Sequence, residues 1–71
     1  MATDICVRIG RRIRVLRTER GCAQTILADR AELAREHLSE LENGHKEIGA
    51  RTLQNIVATL DVSFERFFGG I

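Results

Sequence analysis

Arg35, Glu36, Ser39, Glu40 and Asn43 recur at steps of one and three within Gln24–Gly44, the stretch QTILADRAELAREHLSELENG. On a helix, where each residue turns by about 100°, that spacing gathers them on one arc. Ala34, His37, Leu38 and Leu41 share the opposite arc, with Glu42 at its edge. A guanidinium fork, a hydroxyl, an amide and two carboxylates offer directional donors and acceptors. The chemistry they suit is recognition. The small and apolar residues around them fall where two short helices cross at a tight turn, which leaves the polar arc open to a DNA groove.

No other constellation competes with this one. No nucleophile–base set, phosphate loop or paired acid/base site is visible, and 71 residues leave little room for a deep pocket. Glu36, His37 and Glu40 lie close together but make no convincing ligand set, so neither a metal nor a cofactor is expected. A helix between Cys6 and Cys22 would hold their Cα atoms more than ~20 Å apart, beyond the reach of a disulfide. Both read as small apolar fillers.

The elements that must position the arc follow from apolar periodicity. Asp4 can cap a first helix with Ile5, Ile9, Ile13 and Leu16 facing inward, stopped at Gly21. Gly10 inside it marks a close contact. A second helix is expected over about 24–31, with Leu27, Ala28 and Ala31 inward. A third over about 34–42 stops at Asn43-Gly44. After the loop 45–49, Leu53, Ile56, Val57 and Leu60 give a fourth helix its inner face. Asp61 or Ser63 then starts a last short helix carrying Phe64, Phe67 and Phe68. No strand-like alternation appears. The expectation is an all-α, compact five-helix bundle forming a single domain over 1–71, with its core over 5–68.

Composition narrows the class. At 44% hydrophobic and 30% charged, the chain suits a compact soluble fold, and no apolar run approaches the ~20 residues of a membrane span. The cytoplasm is therefore the expected location. The net charge of +1 says little, but Arg8, Arg11, Arg12, Arg14, Arg17 and Arg20 crowd the first helix. They form either a solvated face or a phosphate-facing one.

Over roughly residues 8–68 the chain resembles the phage-repressor/Cro-type (XRE) helix-turn-helix family, whose fold is the lambda-repressor-like bundle with its motif in helices two and three. The resemblance rests on Ile9-Gly10 with Arg12-Ile13-Arg14, Leu16-Arg17, Arg20-Gly21, Gln24, Leu27-Ala28, Ala31, Leu33 and Leu38. It continues through Leu41-Glu42-Asn43-Gly44, Thr52-Leu53, Ile56, Leu60 and Val62-Ser63. No single pair is specific; the joint spacing is.

The resemblance implies that the outer arc of the third helix faces the major groove. There Arg35 suits a guanine edge, Ser39 bases or phosphate, and Glu36 and Glu40 a cytosine amine. It implies phosphate contacts from Gln24 and from Asn43, His45 and Lys46 in the following loop, with Arg51 a further candidate; His37, which borders the apolar arc, is either a packing residue or a phosphate contact. It also implies an ion pair between Arg17 and Glu42 that is structural. Three positions depart from the family pattern. Glu32 stands where glycine is favoured in a left-handed turn, and Ala23 and Ala34 stand where serine or threonine caps a helix. Each departure costs on the order of 1 kcal/mol.

The function so implied is sequence-specific double-stranded DNA binding by a small dimeric transcriptional regulator, of the kind found among restriction–modification controller proteins. Phe64, Phe67, Phe68 and Ile71 are the candidate dimer contact. A protein-interaction module such as an antitoxin or adaptor, bound to a partner protein, is the alternative, and an enzyme is the third class.

Overall fold

The computed structural model describes residues 4–71; the first three positions of the expected 1–71 domain lie outside the described residues. Five helices follow one another: α1 (Asp4–Glu19), α2 (Gln24–Arg30), α3 (Arg35–Glu42), α4 (Ala50–Leu60) and α5 (Phe64–Gly69). Among the described residues there is no strand, and no helix is long and apolar enough to cross a membrane.

One core serves all five. Ile13 and Leu16 of α1, Leu27 and Ala28 of α2, Leu38 and Leu41 of α3, Ile56, Val57 and Leu60 of α4, and Phe67 of α5 form a single buried cluster. The inner stripe of α1 is Cys6, Gly10, Ile13 and Leu16. Ile5, expected inside, is exposed, because it sits about 100° round the helix from Cys6. Gly10 is where α1 meets the end of α3: a Cβ there would overlap the carbonyl oxygens of Leu41 and Glu42. Glycine is required for two backbones to approach so closely.

Four of the helices end in the same way. After α1, Gly21 N–H donates to Thr18 O and Cys22 N–H to Arg17 O, both at 3.0 Å. Glu32 and Leu33 repeat this pair of bonds after α2, Gly44 and His45 after α3, and Asp61 and Val62 after α4. In each case the first of the two residues is left-handed, with φ of 62° at Gly21, 62° at Glu32, 73° at Gly44 and 59° at Asp61. These are Schellman closures, which satisfy the last free carbonyls of a helix. Asp61, one of two expected starts for α5, instead closes α4. Ser63 caps α5 by accepting a hydrogen bond from Arg66 N–H at 3.0 Å.

Helix starts are less well served. Ala23 and Ala34 occupy extended cap positions before α2 and α3 and supply no side-chain bond. Ala34 is exposed as a consequence, although the sequence places it on the inner arc.

Four of the five arginines of α1 divide between two tasks. Arg12 donates from Nε to Phe67 O at 2.9 Å and from Nη2 to Arg66 O at 3.0 Å, while Arg8 Nη2 reaches Ile71 O at 2.9 Å. These bonds hold the end of α5, where positive charge complements the helix dipole. Arg14 and Arg17 turn instead toward α3. Tertiary bonds thus add a third role to a solvated or phosphate-facing stripe for four of its six arginines.

Candidate nucleic-acid interface

α2 and α3 pack against each other, and Leu27, Ala28, Leu38 and Leu41 lie together in the buried cluster. The turn from one to the other is the Glu32 closure, in which Leu33 N–H donates to Ala28 O at 2.8 Å. This packing fixes which side of α3 faces out. Arg35 and Glu36, in its first turn, are exposed; His37, Ser39 and Glu40 are half-buried; Leu38, Leu41 and Glu42 are buried.

Glu42 is the anchor of the site. Its side chain has no solvent exposure and accepts from helices on two sides. Arg17 Nε donates to Oε2 at 2.7 Å and Arg17 Nη2 to Oε1 at 3.1 Å. Gln24 Nε2 donates to Oε1 at 3.0 Å, and Arg14 Nε approaches the same oxygen at 3.5 Å. Burial pushes the Glu42 carboxyl up, but the hydrogen bonds from Arg17 and Gln24, the Arg17 charge and the Arg14 contact outweigh it. The net shift is below the ordinary glutamate value. A buried charge with fork-shaped donors on both oxygens is held as an anion.

The network reaches the surface at two points. Arg35 Nη1 lies 3.5 Å from Gln24 Oε1, so the amide that holds Glu42 on one side touches the first α3 residue on the other. Arg14 Nη2 donates to Asn43 Oδ1 at 2.6 Å. Gln24, Arg35, Arg14, Arg17 and Asn43 are thus joined around Glu42. Glu40 lies apart, with Lys46 Nζ at 3.5 Å from its Oε1. His45, Lys46 and Arg51 are exposed beyond the end of α3, and no described side chain ties His45, Arg51 or Glu36 to the network.

Sequence reasoning did not single out Arg14 for this site. A signal was present: Arg14 and Arg17 stand three apart on α1 and so share a face. At the other end of the chain Phe67 is buried, Phe64 and Phe68 are exposed, and Ile71 is half-buried. The Phe67 and Phe68 rings meet edge to face, with centroids 5.2 Å apart.

A five-helix bundle whose second and third helices cross at a tight turn, with the polar first turn of the third outside, defines a helix-turn-helix protein. The helix-turn-helix family model matches residues 13–67, and the chain belongs to that family. Its family and fold are those of DNA-binding regulators. The restriction-modification controller protein C.AhdI from Aeromonas hydrophila is similar in structure, with 27% identity and a TM-score of 0.87 over 93% of this chain and 100% of that one. C.Esp1396I, a second controller protein, has been solved as a tetramer on its natural 35-base-pair operator. It matches at 27% identity and a TM-score of 0.87 over 94% of this chain and 88% of that one. The clp gene regulator ClgR from Corynebacterium glutamicum shares the fold at 24% identity, with a TM-score of 0.92 over 99% of this chain and 74% of that one. No curated protein sequence was found to match.

Proposed function

We infer that this protein is a cytoplasmic transcriptional regulator that binds a double-stranded operator as a homodimer and reads it with α3. It works by occupancy: bound at a promoter it excludes polymerase or, less often, recruits it, with no catalytic step. The observation that carries this reading is the polarity of α3. Arg35 and Glu36 project from its first turn into solvent, while Glu42 at the far end is locked into the core. With its side chains a helix is about 10–12 Å across, which fits the ~12 Å width of the major groove. Arg35 then reads a guanine edge, Glu36 a cytosine amine, and Ser39 a base or phosphate. Gln24, His37, Asn43, His45, Lys46 and Arg51 line the phosphate side.

The solved relative C.Esp1396I, bound to operator DNA, supports the same use of the fold here. The alternative, a protein-interaction module, drew on the acidic pair Glu36 and Glu40. The Lys46 ammonium beside Glu40 offsets half of that charge and weakens the case.

The test is an anisotropy titration against duplexes tiled from DNA upstream of the protein's own gene, with scrambled duplexes at the same salt. One segment is expected to bind well above the scrambled background. Arg35→Ala is expected to cost about 1–3 kcal/mol on that segment and to relax the preference at one base pair. Equal affinity for every duplex, unchanged by Arg35→Ala, would overturn the reading.

A further inference from the structure

The C-terminal end of a helix is a poor place to hold a phosphate, because it carries the negative end of the helix dipole. α3 ends there, and Asn43 follows at once. Two features alter the local balance. The carbonyls of Glu40 and Leu41 are already occupied by His45 and Gly44 N–H groups at 3.0 and 3.1 Å, which leaves them less open to an approaching anion. And Arg14, reaching over from α1, sits beside Asn43.

The charges around Glu42 do not cancel. One carboxylate faces two guanidinium groups, and the surplus positive charge lies toward solvent: the Arg14 side chain is 48% exposed, that of Arg17 only 13%. Arg14 Nε is turned to Glu42 and Nη2 to Asn43, so Nη1 keeps its two N–H groups for another acceptor. The same bond settles how Asn43 is turned. Arginine has donors only, so the amide must offer it Oδ1, and its NH2 group must point away. Among the described residues nothing accepts from that NH2 group, and Asn43 is exposed.

We propose that Arg14 and Asn43 together form a phosphate-oxygen site at the end of α3. Arg14 supplies the charge and also turns the asparagine amide so that only donors face the nucleic-acid backbone. The inference rests on the DNA-binding reading above and adds a residue from outside the helix-turn-helix to the contact. It gives Arg14 two roles, one as a ligand of the phosphate and one as a positioning residue for Asn43. A donor pair holding one phosphate oxygen is independent of sequence, so it can be tested without knowing the operator.

The experiment uses the whole chain and a mixed-sequence 30-base-pair duplex, titrated by anisotropy at several potassium chloride concentrations. Arg14→Gln is expected to lower the slope of log affinity against log salt by about one per bound protomer. Arg66→Gln, the same charge change on α5, should shift it far less. Asn43→Ala should weaken binding by roughly threefold to tenfold with the slope kept, and should cost almost nothing more in the Arg14→Gln background. Arg14→Lys keeps the charge without the fork, so the slope should stay near wild type while the Asn43 side-chain amide resonances shift. Circular dichroism melts of each variant check the fold. If the wild type binds the duplex but Arg14→Gln and Asn43→Ala match it in slope and affinity, the phosphate site is wrong and the DNA-binding reading stands. If the wild type binds no duplex at any salt, both fall.

Discussion

Glu42 shows how one residue can belong to the core and to the site at once. Its carboxylate is buried, and removing it would leave Arg17, itself mostly buried, without a counter-charge. Breaking a buried pair from one side costs about 3–5 kcal/mol. Glu42→Ala is therefore expected to lower the thermal midpoint strongly and to weaken DNA binding with it; an unchanged melt would refute the anchoring role. The pH dependence follows from the same geometry. A carboxyl held below its unfolded value stabilises the fold fully above that value, and the contribution is lost as pH falls through the lowered one. Wild type should thus lose stability below about pH 4 in part through this group. Glu42→Gln should be weaker at neutral pH yet fall less steeply between there and acid. Parallel melting curves across that range would contradict it.

At the level of elements, two of the four closures lack glycine. Glu32 and Asp61 both hold left-handed backbones, at φ of 62° and 59°. Such a conformation costs roughly 1–2 kcal/mol for an ordinary residue and less for aspartate, whose short side chain bonds locally. Glu32→Gly is expected to raise stability by up to about 1 kcal/mol, net of the extra freedom that glycine gives the unfolded chain. Asp61→Gly should gain less. Calorimetry of the two variants decides this, and a lower midpoint for Glu32→Gly would show that its side chain does something the turn needs. Much of this architecture was legible in advance. The apolar steps along α4 and the Gly21 and Asn43-Gly44 stops placed their elements, because local patterns record which face is buried and where a helix must end. Asp61 was ambiguous because aspartate suits both a helix start and a left-handed end. The partners of Arg8, Arg12 and Arg14 were illegible for a different reason. Their acceptors are backbone carbonyls, a carboxylate and an amide 28 or more positions away; spacing put Arg14 on the face of Arg17 but did not encode which acceptors any of the three would meet.

As a whole the molecule measures 27 × 26 × 20 Å, less than the ~34 Å of one DNA turn. A single copy can cover one half-site and no more, so a palindromic operator needs a second. Phe64 and Phe68, 46% and 39% exposed beside the buried Phe67, offer an apolar surface for that pairing. Replacing both with serine is expected to shift sedimentation toward monomer while leaving the far-UV spectrum intact; a dimer that survives would place the contact elsewhere. The way α3 is mounted has a consequence for how such a protein diversifies. Arg35 and Glu36 are exposed and Glu36 is tied to no described side chain, whereas the opposite end of the rod is bolted to α1 through Gly10 and Glu42. On the proposed reading of α3, a gene duplicate can swap its target by altering this exposed tip, at little thermodynamic penalty, while the mount stays untouched. New specificities built on that reading should arise at those first positions, leaving the docking end as the inherited chassis.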